Sequence, residues 1–366
     1  MLTFRVQNHV LLLRPHAERF YLLNPTAALL WALRDSGADA NECACALVEA
    51  YGIPEEHARR DVAATFTSWE ADGLLATAPV LVHAPHEAPE RASNAVTRHY
   101  RIGNSTFSVT MTDAGLQDDL PPRIAHFEAT EAPEGATDYQ VSAETAGYAL
   151  YRDGDLLDTV ENIYAARTVL LFDVLRSAYA AEPWCANLHA GVIGANGRCV
   201  VVAGASGAGK STLSVAARLA GLEVLGDDAA PILEYSGHVA ATPLATMLRE
   251  GSWPLFEGLD AHYTISEIYE RDTGRVRFLA PRATQLETRK ATALLLVRRE
   301  AGCTPRLQQL DTVEALQRFA ETGFWVRPDE SGVHAFLCWL ERVPKFDAFY
   351  ETTQDGVTLL RQALGE

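Results

Sequence analysis

No stretch of this sequence stays apolar long enough to cross a bilayer. Runs such as "TALLLV" (292–297) are short, whereas a helical span needs about 20 apolar residues. A basic start followed by an apolar segment and a small-residue cleavage site is also missing, so the expected location is cytoplasmic. Cysteine is sparse, at 43, 45, 185, 199, 303 and 338. Cys43 and Cys45 form a C-x-C with no second pair at zinc spacing, which points to small, partly buried residues in a reducing compartment. Lysine is scarcer still: Lys210, Lys290 and Lys345 are all there are, and the net charge is -17. Such a balance argues against broad binding to a phosphate backbone. It also makes a lysine inside a glycine-rich loop hard to dismiss as incidental surface charge. No internal repeat is visible.

What is present is the composition of a folded protein, 48% hydrophobic and 22% charged over 366 residues, enough for two or three domains. The first 80 residues read as a small α+β, winged-helix-like domain. "TFRVQNHVLLL" and "RFYLLN" are strand-like, separated by a turn region at Pro15. Asn24 offers an N-cap with Pro25 at the first helical position, and Leu29, Leu30 and Leu33 share one face. Asp39 and Glu42 make a capping-box pattern for a second helix that Gly52 closes. Pro54 starts a third, with Ala58, Val62, Phe66 and Trp69 at helical spacing. Residues 81–99 belong to a proline- and alanine-rich stretch that reads as a linker. From 100 to 366 strands dominate at first, with "RDGD" as a hairpin turn. A helix-period segment follows over "ENIYAARTVLLFDVLRSAYAA". Next come two strands around Asn196-Gly197, and then a mixture of strand and helix.

The second strand of that pair runs into Gly204-Ala205-Ser206-Gly207-Ala208-Gly209-Lys210-Ser211, followed by Thr212. This matches G-x-x-x-x-G-K-[ST] in full, between an apolar strand and a helix-forming segment. In such a loop, glycines let successive backbone N–H groups face phosphate oxygens, and the helix N-terminus adds its positive end. Lys210 would reach the β- and γ-phosphates of ATP, and the Ser211 hydroxyl would ligate Mg²⁺. Beyond the helix, "GLEVLGDD" ends a short strand on Asp227 and Asp228. Alone, the pair would equally be a solvated turn or a helix cap. Beside a phosphate loop, one carboxylate can hold Mg²⁺ and the other can take a proton from an attacking hydroxyl.

"LHAGVIGANGRCVVVAGASGAGKS…GDD" resembles the catalytic core of the HPr kinase/phosphorylase family. His189 stands fifteen residues before Gly204, and Asp227 seventeen after Lys210. The resemblance implies a P-loop α/β fold, a mixed sheet with flanking helices, for residues 100–366. It implies Asp227 as general base, Asp228 as a Mg²⁺ ligand with Ser211, and His189 beside them as the residue that orients them. A core histidine on a strand is the alternative for His189. The family's later signature is not recognisable; "TMLREGSWPLF" stands there, with Arg249 and Glu250 able to reach phosphate or metal, or simply to form a surface ion pair. That departure puts phosphorylase activity and the family's usual substrate in doubt. Arg275, Arg277 and Arg282 lie close together in sequence and would suit an acidic or phosphorylated ligand.

The front segment, from "YLLNPTAALLW" to "DGLL", resembles the PqqD family of peptide-recognition modules. That resemblance implies a bound peptide added as a strand and packed on a helix, with backbone hydrogen bonds supplying affinity. A winged helix of this size could instead bind DNA, but residues 1–85 carry six arginines and no lysine against ten acidic residues, which counsels against it. Together the two resemblances lead to an ATP- and Mg²⁺-dependent kinase acting on a hydroxyl of a precursor peptide or small protein. A nucleotide-dependent peptide carrier and a small-molecule kinase are the alternatives.

Overall fold

Local signals build the first unit, and a computed structural model describes residues 1–14, 19–75, 95–132, 134–271, 274–282 and 286–366. Asn24 caps the helix Pro25–Asp35 by accepting from the Ala27 N–H at 2.9 Å. Asp39 and Glu42 close the capping box of Ala40–Tyr51, and Gly52 ends that helix in the left-handed conformation. Glu55–Ala71 follows Pro54. Ala58, Val62 and Trp69 are buried as their spacing requires, and Trp69 meets Trp31 edge-on at 5.4 Å. The sequence "TFRVQNHVLLL" is not one strand but two. Gln7 adopts a positive φ of 54° and folds Leu2–Val6 back on His9–Arg14, which pairs in turn with Arg19–Leu23. The expected turn at Pro15 lies outside the described residues.

The chain divides into two units, Met1–His83 with Pro328–Glu330, and Ala84–Arg327 with Ser331–Glu366. Most of the stretch read as a linker is outside the described residues, but residues 96–99 already belong to the strand Val96–Ile102.

The second unit is mixed α/β. Its ten-stranded sheet runs Glu223–Gly226, Ala190–Ala195, Arg198–Ala203, Thr288–Arg299, Val239–Ala240, Ala230–Leu233, Trp184–Leu188, Phe324–Val326; Lys345–Tyr350 and Arg306–Gln309 extend it beside Thr288–Arg299. Arg198–Ala203 is parallel to Thr288–Arg299, and Thr288–Arg299 is parallel to Lys345–Tyr350. Residues 199–202 are wholly buried, which accounts for their unbroken apolar character in a covered parallel region. The helices Lys210–Leu219 and Thr353–Leu364 pack on this sheet through Leu213, Ala217, Val357 and Leu360. A six-stranded sheet, from Val96–Ile102 to Asp155–Val160, carries the helix Ile163–Ala178 on one face. The "RDGD" turn joins its last two strands. A four-stranded sheet made of Thr246–Arg249, Tyr263–Ile265, Tyr269–Arg271 and Gly274–Pro281 packs Leu248, Tyr263 and Leu279 against Val215 of Lys210–Leu219.

Candidate active site

The strand Arg198–Ala203 delivers Gly204–Gly209 as a loop, and the helix Lys210–Leu219 begins at once. Gly209 sits at the helix N-cap with φ of 93°, a conformation that a side chain would strain, and among the described residues no side chain caps the helix. The first backbone N–H groups of the helix are therefore free of side-chain partners, the arrangement that receives an anion. Tyr350 supports the loop from the strand Lys345–Tyr350 of the same sheet, its hydroxyl donating to the Ala208 carbonyl at 3.4 Å. Lys210 folds back, its Nζ donating to the carbonyls of Gly204 at 2.7 Å and Ala205 at 3.4 Å. Burial pulls its pKa down, against the attraction of Asp228 and Asp227.

Asp227 follows the strand Glu223–Gly226. Gly226 is needed there because a Cβ would collide with the Thr242 hydroxyl, which donates to the Ala229 carbonyl at 2.6 Å. This close packing turns Asp227 inward: it is 7% exposed, and its Oδ1 makes no hydrogen bond among the described residues. Burial pushes its carboxyl up to about 6 and Asp228 adds to the rise, while Ser214, Ser211 and Lys210 oppose it. A carboxyl poised in this range can take a proton near neutral pH.

Asp228 is half-exposed and held from two sides. His189 Nδ1 lies 3.2 Å from its Oδ1, and Arg123 Nη1 lies 3.6 Å from its Oδ2. His189 occupies the link between Trp184–Leu188 and Ala190–Ala195, partly exposed rather than in the core. Thus the loop, Lys210, Ser211, Asp227, Asp228 and His189 converge. Thr212 turns elsewhere, its hydroxyl 2.9 Å from that of Ser252.

Arg249 ends the strand Thr246–Arg249, exposed and opposite Val276, with no ion pair to either aspartate among the described residues. Glu250 pairs with Arg275 at 2.6 Å, the surface reading for that residue. Arg275 and Arg277 lie against the Trp253 ring, and Arg282 donates to the Asp260 carbonyl. The arginine that does approach Asp228, Arg123, carried no sequence signal. It sits in "PPRI", remote from every motif, and only tertiary packing brings it in. Among the described residues no cluster of three or more His, Cys, Asp or Glu could hold a metal, and all six cysteines are free.

The described chain is thus a mixed α/β unit bearing a glycine loop beside a carboxylate pair, together with a small α+β region. Residues 9–75 match the family described as Coenzyme PQQ synthesis protein D (PqqD), which places a PqqD domain there. Among solved structures the chain is similar to the Hpr(Ser) kinase/phosphatase from Coxiella burnetii, at 10% identity and a TM-score of 0.23, over 48% of this chain and 94% of that one. No curated protein matches. No helix among the described residues is long and apolar enough to cross a membrane.

Proposed function

We propose that this chain is an ATP- and Mg²⁺-dependent kinase that phosphorylates a hydroxyl of a ribosomally made precursor peptide. The observation that carries the reading is Asp227: a buried carboxyl with an unpartnered oxygen, raised to about 6, one residue from a half-exposed carboxylate and beside Lys210. The donor would lie against the loop 204–209 and the free start of Lys210–Leu219, with Ser211 and Asp228 as the protein's ligands for Mg²⁺. Bound there, the nucleotide supplies the phosphoryl group and the cation screens its charge. Lys210 would leave the carbonyls of Gly204 and Ala205 to meet phosphate oxygens. Asp227 would accept the hydroxyl proton through its free Oδ1, and His189 would keep Asp228 oriented toward the metal. The unpartnered carboxyl favours turnover over a carrier that only holds its nucleotide.

The PqqD domain supports a peptide acceptor, recruited through a leader segment that adds as a strand to the small sheet. Recruitment would raise the acceptor's effective concentration near Asp227. The test is calorimetric titration of the full chain with ATP and MgCl₂. Mass spectrometry would follow on short peptides encoded beside it, incubated with enzyme and nucleotide. Binding and a gain of one phosphoryl group are expected; a folded chain that binds no nucleotide overturns the reading.

A further inference from the structure

Arg123 is placed where a solvated cation would not be. It lies on the short helical turn Pro121–Ile124, its side chain 8% exposed. Its carbonyl accepts from the Ala245 N–H at 2.9 Å, and its guanidinium stands 5.4 Å from the centre of the Phe278 ring. The hydrogen bonding of this buried group is incomplete. Nε has no partner among the described residues, Nη2 reaches only the Met247 sulfur at 3.8 Å, and Nη1 stands 3.6 Å from Asp228. That last distance is too long for a good hydrogen bond.

The charges behind it sharpen the point. Asp119, buried, is engaged by Arg167 at 2.5 Å and Arg271 at 3.4 Å. Three guanidiniums therefore share two carboxylates, and Arg123 is left with the looser one. A buried cation so poorly matched is costly unless an anion completes it. If Asp228 turns to a metal, Arg123 loses its one carboxylate partner.

We propose that Arg123 forms a subsite for a phosphomonoester dianion on the acceptor side of the aspartate pair, so that the layer containing residues 114–124 contributes to substrate recognition. The proposal rests on the kinase reading for its place in a reaction, since the group bound would be the phosphorylated acceptor. As a binding site it stands on the geometry alone. Arginine suits the task because its planar fork meets two phosphate oxygens at once.

The test is titration of the full chain, without nucleotide, with the peptide Gly-phosphoserine-Gly and separately with inorganic phosphate. Arg123→Gln should weaken the phosphoserine peptide at least about tenfold, the loss of a charge-assisted hydrogen bond, while Arg306→Gln, at an exposed arginine that bonds the Thr304 carbonyl, leaves it unchanged. Inorganic phosphate, which the glycine loop would also take, should lose less affinity than the peptide in Arg123→Gln. Unchanged peptide affinity in Arg123→Gln overturns the subsite, as does equal loss with Arg306→Gln or no binding to the wild-type chain. Should Arg123→Gln fail to fold, the wild-type chain carries the test through the Arg123 Nε–H resonance, assigned with Arg123→Lys. The peptide should move that resonance, and one that stays fixed overturns the proposal. ATP titration of the same samples tests the kinase reading separately, so either can fail without the other.

Discussion

Replacing Asp227 by asparagine should make the protein more stable and inactive at once. Its carboxyl lies at about 6 in the folded chain against 3.8 for the free group. A carboxyl raised on folding contributes stability that is fully present below about 3.8 and is lost as pH climbs through 6. At pH 8 the ionised, buried group therefore costs about 3 kcal/mol, and at pH 5 roughly half of that. The side chain is only 7% exposed, so solvent screening takes little from this figure. Asparagine keeps the shape without the charge, so its gain should grow from pH 5 to pH 8 by on the order of 1 kcal/mol or more. Hydrogen exchange of the Arg198–Ala203 amides in the full chain reads the unit that contains the site. A gain that is flat with pH, or an asparagine variant less stable at pH 8, would refute the electrostatic account. On the kinase reading, transfer by the wild-type chain should rise with pH through about 6, because Asp227 as base must be ionised, and Asp227→Asn should remove transfer while nucleotide still binds.

On the kinase reading, Lys210→Ala should weaken ATP binding, measured by calorimetry on the folded variant, because it removes the cation proposed to meet the phosphates. Asp228→Asn should shift the Mg²⁺ dependence of transfer to higher concentration and leave a saturated rate closer to wild type than Asp227→Asn does. Leu213, 1% exposed in the core beneath the loop helix, should cost about 2–5 kcal/mol of stability on change to alanine, read by urea unfolding. Loss of the front domain should raise KM for a full-length precursor more than it lowers kcat, because remote binding energy is uniform between ground and transition states. Equal KM values would mean that the domain does not recruit substrate.

The features legible in the sequence were those whose cause is local. The capping residues Asn24 and Asp39, the Gly52 stop, the Asn196-Gly197 turn and the strand–loop–helix around Lys210 each depend on a few adjacent residues, and the structure has each of them. The fold-back at Gln7 was missed because glutamine is a poor marker of positive φ. The need for glycine at 226 carried no local signal, because its reason is Thr242, sixteen positions away in sequence. Arg275, Arg277 and Arg282 drew attention by clustering, yet their partners are Glu250, Trp253 and the Asp260 carbonyl. Arg123, isolated in sequence, stands 3.6 Å from Asp228. Charge density along the chain is thus a poor guide to charge density in space.

The parallel pairing of Arg198–Ala203 with Thr288–Arg299, and of that strand with Lys345–Tyr350, sets an order on biosynthesis. Among the described residues the apolar core of the first unit is made by residues up to Leu75, so it can form while most of the chain is still unmade. The strand that feeds the glycine loop must wait about ninety residues for Thr288–Arg299, which waits about fifty more for Lys345–Tyr350. At ordinary elongation rates that delay is on the order of ten seconds. Until Thr288–Arg299 arrives, the unbroken apolar strand Arg198–Ala203 has an open edge on the ribosome, which makes the nascent second unit the part of this protein most in need of a chaperone.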